Sequence, residues 1–236
     1  MRYLALACDY DGTLARAGRV ADATIAALKK LRASGRKLIL VTGRELEDLL
    51  RVFPRSDLLD WVVAENGCLL YRPATQEQLP LHEPMPSKFI ETLQARGVPL
   101  TVGKVICATW VPHEGAVLEA IRECGLELQV IFNKGAVMIL PPGHNKASGL
   151  AAALDKLGLS PHNVVGIGDA ENDHAFLELC GCAVAVANAL PWVKEKADFV
   201  TQGEDGDGVV ELADEMVASD LAQREEFSAR HHPSLR

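Results

Sequence analysis

The stretch LACDYDGTLA, residues 6–15, decides how the rest of the chain is interpreted. An apolar run, Leu4–Cys8, ends in two aspartates, Asp9 and Asp11, and a Gly-Thr pair follows them. Two like charges this close repel each other, and neither has an obvious cationic neighbour in sequence. Asp and Gly are also ordinary turn residues, so the segment alone is consistent with a strand and a simple turn. The remainder of the chain has to distinguish a turn from a site.

Composition places the chain among ordinary globular proteins. Its 236 residues are 48% hydrophobic and 24% charged, and this length suits one large domain or a core domain that carries a smaller insert. The net charge of -8 argues against a nucleic-acid partner, because binding to a phosphate backbone needs a basic face. An acidic protein can still bind a small phosphorylated molecule where a metal ion supplies positive charge.

Six cysteines without a CxxC pair predict reduced thiols and a cytoplasmic protein. Most of them lie in apolar stretches, where a free cysteine behaves as a small buried hydrophobic residue. Cys180 and Cys182 have no His or further Cys nearby, which disfavours a metal site there. The N-terminal apolar run is too short for a signal peptide, and no run approaches the roughly 18 apolar residues of a membrane span. We therefore expect no membrane partner.

Strand-like and helix-like segments alternate along most of the chain. Apolar strands are predicted at 3–8, 37–43, 61–67, 163–169, 182–186 and 198–201, and helices at 22–35, 45–52, 146–157 and 172–180. Short apolar strands separated by amphipathic helices indicate an α/β fold with a parallel sheet covered on both faces. Active sites in such sheets lie beyond the carboxyl ends of the strands.

The middle of the chain departs from this pattern and predicts a separate small α+β unit over 83–143. Helices are expected at 87–97 and 113–125, and strands at 104–111, 127–133 and 136–141, the last two joined as a hairpin. A hairpin does not belong to a purely parallel sheet. Pro-rich stretches at the two borders of this unit are suited to hinges. The core domain is then expected at 1–82 and 144–220, with a polar tail at 221–236.

Polar residues gather at one edge of the predicted core sheet. They are Asp9 and Asp11 after the first strand, Thr42 after the second, Lys146 at the start of the helix behind the insert, and Asp169 and Asp173 after the strand at 163–169. Each alone is explained by a strand exit, a solvated lysine or a helix cap. Chance does not readily explain why all of them occur at one edge. Four converging carboxylates need a divalent cation to neutralise them, and hard oxygen ligands favour Mg²⁺.

Phosphoryl transfer is the chemistry that this set of residues suits. Mg²⁺ and Lys146 would offset the charge of a phosphate dianion, which bare carboxylates would repel. The Thr42 hydroxyl and the backbone N–H groups behind it would hold phosphate oxygens. Asp9 would attack phosphorus to form an acyl phosphate. Asp11 would donate a proton to the leaving alcohol and later accept one from water.

These motifs resemble those of haloacid dehalogenase (HAD) superfamily phosphatases, in the Cof-like subclass IIB. DYDGT corresponds to the first motif, VTGR to the second, Lys146 to the third and GDAEND to the fourth, while the ENG at 65–67 and VANALPWVKEKADFVT resemble that subclass. The resemblance covers about 1–82 and 144–215. It implies a Rossmann-like parallel-sheet core, with the insert at 83–143 as a cap domain.

The resemblance also implies roles for individual residues. Asp9 would be the nucleophile and Asp11 the general acid/base. Mg²⁺ would be bound by Asp9, the Asp11 backbone carbonyl and Asp169, with Asp173 as an adjacent metal-site carboxylate and Asn172 in support. The phosphate would be held by Thr42, Gly43 and Lys146, and the candidate substrate contacts are Arg44 and Asn188. The short cap resembles those of archaeal phosphoglycolate phosphatases and related sugar-phosphate phosphatases. Trp110, His113, Asn133 and Lys134 are its candidates for recognising the leaving group.

The predicted function is Mg²⁺-dependent hydrolysis of a small phosphorylated metabolite, a sugar phosphate or a phosphoglycolate-like compound, through an aspartyl phosphate. A phosphotransferase or phosphomutase is an alternative, because the same intermediate can pass its phosphoryl group to an alcohol. A receiver-like phospho-switch is another, although such a switch has no need of the proton shuttle that Asp11 provides. The sequence leaves open the oligomeric state and whether the chain is one domain of a larger protein.

Overall fold

The core is formed by two segments of the chain that flank an inserted unit. Before the insert lie β1 (Ala5–Cys8), α1 (Asp22–Ala33), β2 (Lys37–Val41), α2 (Leu46–Val52), β3 (Trp61–Ala64), β4 (Leu69–Arg72) and β5 (Glu77–Pro80). The inserted unit contains α3 (Ser87–Ala95), β6 (Thr101–Val102), β7 (Cys107–Trp110), α4 (Glu114–Cys124), β8 (Gln129–Asn133) and β9 (Ala136–Leu140). Behind it follow α5 (Lys146–Leu157), β10 (Val164–Gly168), α6 (His174–Leu179), β11 (Cys182–Ala185), α7 (Pro191–Lys196), β12 (Phe199–Val200) and α8 (Asp205–Ser219).

This computed structural model describes residues 1–133 and 135–224. Most of the polar tail expected at 221–236 and Lys134, expected to recognise the leaving group, therefore lie outside the described residues. Among the residues that are described, no helix combines the length and the apolar character that crossing a membrane requires.

The core sheet has eight strands in the order β12-β11-β10-β1-β2-β3-β4-β5. Its first six strands are parallel, and β1 lies at the centre between β10 and β2. All four residues of β1 are buried, as in strands covered on both faces. The predicted α/β class and parallel-sheet core are confirmed.

The structure adds an antiparallel hairpin, β4–β5, at one edge of this sheet. The sequence pattern does not predict it, because the β5 sequence EQLP is polar and lacks a buried face. A short, polar strand is typical of a sheet edge, where it discourages pairing with another chain. The strand predicted at 61–67 is also too long: β3 ends at Ala64, and residues 65–67 form a tight turn.

The inserted unit has its own antiparallel sheet in the order β6-β7-β9-β8. Helices α3 and α4 pack against each other, and Phe89, Leu93, Val117 and Ile139 are fully buried in the apolar cluster of this unit. A second apolar cluster joins the unit to the core and contains Cys68 of the core together with Val105, Ile106, Met138 and Leu140 of the unit. The unit therefore has an interior of its own and a separate apolar contact with the core.

Gly67 lies where the core turns tightly against the start of α5. Its φ is +101°, in the left-handed region, and a Cβ built on it would lie 1.9 Å from the carbonyl oxygen of Asn145. Asn145 caps α5 through its side chain, which accepts from the Ser148 backbone N–H. The close approach of Gly67 therefore sets the position of the residue that follows this cap, Lys146.

Gly67→Ala is expected to lower the free energy of unfolding by about 3 kcal/mol or more, since it adds a backbone clash to an unfavourable φ. Urea denaturation measures the loss. Gly97→Ala is the matched control, because Gly97 also has a left-handed φ of +71° but nothing lies within 4 Å of its added Cβ. The control should lose only about 1 kcal/mol, the cost of the backbone conformation. Equal losses in the two variants would contradict the importance of the close approach.

Candidate active site

The carboxyl ends of the central strands open into one cleft between the core and the inserted unit. Its volume is about 850 Å³. The predicted site residues that line it are Asp9, Asp11, Thr42, Gly43, Arg44, Lys146 and Asn172. Asp169 and Asp173 adjoin Asp9, and one carboxylate oxygen from each of the three residues lies within 4.8 Å of the other two. The fold thus brings together residues that are far apart in the chain, such as Asp9 and Lys146, which are separated by 137 positions.

Lys146 is a buried ammonium held between two carboxylates. Its Nζ donates to Asp9 Oδ1 and to Asp173 Oδ1, each at 2.5 Å, and the lysine is 1% exposed. Burial by itself lowers the pKa of Lys146, but the charges of Asp173 and Asp9 outweigh burial and hold the pKa above its ordinary value. Lys146 is therefore a permanent positive charge at the base of the cleft. Removing either carboxylate would weaken the compensation of this buried charge.

Asp9, Asp169 and Asp173 form a carboxylate cluster that one lysine does not neutralise. Burial, followed by the charge of Asp173, raises the pKa of Asp9 to about 8, even though Lys146 opposes the shift. Carboxylate oxygens are the ligands that hard divalent cations prefer. A cation bound here would relieve the repulsion and favour the ionised form of Asp9. The chemistry of the donor set therefore fits a divalent metal ion.

The protein already engages both oxygens of Asp173. Oδ2 accepts from the backbone N–H groups of Asp169 and Ala170 at 2.9 Å, and Oδ1 accepts from Lys146. Asp169 has a different partner, because the buried hydroxyl of Thr13 donates to its Oδ1 at 3.0 Å. The sequence motifs alone gave Thr13 no role. Its position two residues behind Asp11, in the same strand-turn segment, is the signal that could have identified it.

Asp11 has a separate cationic partner, Arg44. The guanidinium donates from Nε to Asp11 Oδ2 at 2.6 Å and from Nη2 to Oδ1 at 2.7 Å, and the Asp11 side chain is 39% exposed. Arg44 also donates from Nη1 to Asp48 Oδ2 at 2.5 Å, and its guanidinium lies over the Tyr10 ring. Hydrogen bonding to Asp11 is the main cause that raises the pKa of Arg44 above its usual range. Each aspartate of the opening stretch therefore has its own cation.

The segment Thr42-Gly43-Arg44 forms a loop at the cleft. The Arg44 backbone N–H donates to Thr42 Oγ1 at 3.1 Å, which turns the loop tightly. Asn172 approaches Gly43 from the core and donates from Nδ2 to Asn66 Oδ1 at 3.2 Å. Met138 of β9 reaches the same glycine, since its Cε would lie 3.1 Å from a Cβ built on Gly43. The loop therefore lies directly under the inserted unit.

Asn188, a candidate substrate contact, makes its hydrogen bonds within the protein. Its Nδ2 donates to the Gly12 carbonyl at 2.8 Å, and its Oδ1 accepts from the Asp205 backbone N–H at 2.8 Å. These bonds link the turn behind Asp11 to the start of α8. Asn188 is absent from the residues that line the cleft.

The inserted unit contributes a largely apolar wall to the cleft. Among the leaving-group candidates, Trp110 and Asn133 line it and His113 does not. The other lining residues of this unit are Thr101, Ile106, Ala108, Ala136 and Met138. The Trp110 side chain is 59% exposed, and Asn133 Oδ1 is buried with no hydrogen-bond partner among residues 1–133 and 135–224.

Comparisons with known proteins identify relatives of this chain. The family model for haloacid dehalogenase-like hydrolases matches residues 6–103 and 119–212. Phosphoglycolate phosphatase 2 of Saccharolobus solfataricus is 30% identical over 223 residues, which cover 92% of this chain and 94% of that protein. A phosphoglycolate phosphatase of Methanothermobacter thermautotrophicus is 31% identical over 218 residues, covering 88% and 96%. The solved structure of a HAD subclass IIB sugar phosphatase has the same fold, with a TM-score of 0.72 at 20% identity, covering 90% of this chain and 98% of that one.

Proposed function

Because this chain belongs to the haloacid dehalogenase-like hydrolase family and is a phosphatase, we propose that it hydrolyses a small phosphate monoester through an aspartyl phosphate, with Mg²⁺ bound at the carboxylate cluster. The family assignment made from the motifs is confirmed. The observation that carries the mechanism is the separate pairing of the two aspartates. Asp9 is buried and bound to Lys146, whereas Asp11 is partly exposed and bound to Arg44.

In this proposal Asp9 is the nucleophile. One carboxylate oxygen of Asp9 forms the bond to phosphorus as the bond from phosphorus to the leaving oxygen breaks. Lys146 orients the Asp9 carboxylate through Oδ1 and contributes positive charge beside the phosphoryl group. Thr42 and the Gly43 backbone N–H are the proposed contacts for phosphate oxygens, since the Arg44 N–H already donates to Thr42 Oγ1.

Asp11 is the proposed proton carrier. It donates a proton to the leaving oxygen in the first step and accepts one from the water that attacks the acyl phosphate in the second. Its partial exposure suits this exchange, and the two hydrogen bonds from Arg44 orient its carboxylate at the cleft. One of these bonds has to open before Asp11 takes up the proton that it donates, because both of its oxygens accept from Arg44. Arg44 is therefore proposed to position Asp11, in addition to the substrate contact that the sequence motifs lead us to expect of it.

The Mg²⁺ ligands proposed are the Asp9 and Asp169 carboxylates and the Asp11 backbone carbonyl, with Asp173 beside them. When bound, the ion supplies positive charge to the phosphate oxygens. Asp173 fits the supporting position better than a direct one, because its oxygens already accept from Lys146 and from two backbone N–H groups. The cluster Asp9, Asp169 and Asp173 is the observation that supports this site.

The substrate class proposed is a small phosphorylated metabolite of the sugar-phosphate or phosphoglycolate type. The names of the relatives and of the compared structure support this class. The inserted unit is then a cap domain whose wall contacts the leaving group, with Trp110 and Asn133 as the candidate contacts. The six cysteines are free thiols, as is usual in a reducing compartment, and we place the enzyme in the cytoplasm on that ground.

Phosphate release is expected to depend on Mg²⁺ and to fall by about 10³-fold or more in excess EDTA, because a bound metal supplies several kcal/mol of charge stabilisation. The measurement is inorganic phosphate released from a panel of sugar phosphates and phosphoglycolate, before and after chelation and after Mg²⁺ is restored. NaCl at matched ionic strength is the control for salt effects. Undiminished turnover in excess chelator would contradict the metal proposal, and transfer to an added alcohol without phosphate release would indicate a phosphotransferase.

A further inference from the structure

Glu65 is a core residue whose carboxylate is bound by the cap. Oε1 accepts from the Lys104 backbone N–H at 2.8 Å, and Oε2 accepts from the backbone N–H groups of Val105 at 2.8 Å and Ile106 at 3.1 Å. The three donors are consecutive and lie in the turn between β6 and β7. Glu65 is 1% exposed, and its bonds to Val105 and Ile106 are buried, while the bond from Lys104 is partly buried.

Residues 65–67, the ENG motif, all adopt left-handed backbone conformations. Their φ values are +51° for Glu65, +55° for Asn66 and +101° for Gly67. A left-handed glutamate is uncommon, and such a conformation persists only where the surrounding structure over-determines it. The backbone therefore holds the Glu65 side chain toward the cap at an energetic cost.

The same turn also binds the Thr42-Gly43-Arg44 loop, named the phosphate loop below for its proposed contacts with phosphate oxygens. The Glu65 backbone N–H donates to the Arg44 carbonyl at 2.9 Å, and the Asn66 N–H donates to the Thr42 carbonyl at 3.0 Å. One short motif thus contacts both ends of the Thr42-Gly43-Arg44 loop and the turn of the cap. The cap and the loop are therefore both hydrogen-bonded to the same buried residue of the core, Glu65.

The cap side of this contact fits the carboxylate closely. A Cβ built on Gly103 would lie 2.7 Å from Glu65 Oε1, so only glycine leaves room there. The adjacent Ile106 lines the cleft, and Ile106 and Val105 also belong to the apolar contact between cap and core. Lys104 adds an exposed ion pair with Glu47 at 3.7 Å, which is worth little beside the buried bonds.

We propose that Glu65 is a positioning residue that seats the cap over the cleft and keeps the cap in register with the phosphate loop. Three convergent N–H donors need a group that only accepts, which an ionised carboxylate is and an amide is not. The effect of this contact on turnover rests on the proposed function, but the contact between Glu65 and residues 104–106 of the cap does not.

Two variants break the contact from opposite sides. Glu65→Gln places an amide NH₂ against backbone donors, and Gly103→Ala presses a methyl group into the carboxylate. Each has a matched control of the same substitution. Glu77→Gln changes an exposed residue of β5, and Gly115→Ala adds a Cβ in α4 where nothing lies within 4 Å.

The first measurement is amide hydrogen exchange at residues 104–106 without substrate. Both variants are expected to exchange these amides about 10- to 100-fold faster than the unaltered protein, the range for losing hydrogen bonds to a charged group. The amides of the core strands β1 and β10 and those of both controls should be unchanged. Unchanged exchange at 104–106 in Glu65→Gln and Gly103→Ala would overturn the proposal, as would a uniform increase throughout the core.

The second measurement compares the hydrolysis of a hexose 6-phosphate with that of acetyl phosphate, which is too short to reach far into the cap. A displaced cap should raise KM for the hexose 6-phosphate about 10-fold or more, by analogy with one lost charged hydrogen bond, and change KM for acetyl phosphate much less. Equal losses on both substrates would contradict a role in cap seating. If the unaltered protein released phosphate from neither, the proposed function would fail, and the exchange data would still decide whether Glu65 seats the cap.

Discussion

Asp9→Asn is expected to reduce phosphate release by about 10⁵-fold or more, the scale on which enzymes lose their nucleophile. The amide lacks the anionic oxygen that attacks phosphorus. The other two carboxylates of the cluster are already engaged, since Asp173 accepts from Lys146 and two backbone N–H groups and Asp169 accepts from Thr13. Steady-state release of inorganic phosphate measures the loss. Tryptophan fluorescence or calorimetry should show that substrate still binds.

The fold should survive this substitution. Burial and the neighbouring carboxylates raise the pKa of Asp9, so the folded state already favours a neutral group at this position, and the cost that remains is the loss of one carboxylate beside the buried Lys146. Lys146 keeps Asp173 as a partner. Asp155→Asn, an exposed carboxylate on α5, is the control and should retain full activity. Substantial turnover by protein in which mass spectrometry confirms the Asp9→Asn substitution would show that Asp9 is not the nucleophile.

The core strands and their polar ends were predictable because each depends on local sequence. Short apolar runs gave β1, β2 and β10 to within a few residues. The rule that sites lie beyond parallel strand ends grouped Asp9, Thr42 and Asp169 at one edge, and in the structure Asp9 and Thr42 line one cleft with Asp169 beside Asp9. The hairpin β4–β5 was missed because β5 carries no apolar pattern. An apolar repeat in the sequence reflects the burial of one face, and the edge strand β5 is largely exposed, so it has no such repeat.

The cation partners of the aspartates were not predictable in the same way. Arg44 lies 33 residues from Asp11 and Lys146 lies 137 residues from Asp9. Sequence placed both aspartates and Lys146 near one edge and made Arg44 a candidate substrate contact. It could not assign lysine to one aspartate and arginine to the other, because that depends on side-chain direction at the strand ends. The role of Glu65 was hidden for a similar reason, since its partners are backbone N–H groups, which carry no sequence signature.

Asp11→Asn is expected to lower turnover of a sugar phosphate by about 10²- to 10⁴-fold, the range for losing one general acid/base. Metal binding should persist, since the proposed ligand at this position is the backbone carbonyl. Asp48→Asn is the matched control, because Asp48 also binds the Arg44 guanidinium but carries no proton in the mechanism. If the loss arose only from a displaced Arg44, Asp48→Asn would reproduce it.

The leaving group separates the two proposed duties of Asp11. Nitrophenolate needs almost no protonation, so Asp11→Asn should form the acyl phosphate from nitrophenyl phosphate nearly as fast as the unaltered enzyme. Hydrolysis of that acyl phosphate remains slow, because no base takes the proton from the attacking water. Rapid-mixing experiments should therefore show a burst of nitrophenolate that is stoichiometric with enzyme, followed by a slow steady state. Asp9→Asn should show no burst, and equal losses by both variants on every ester without a burst would contradict the division of roles between the two aspartates.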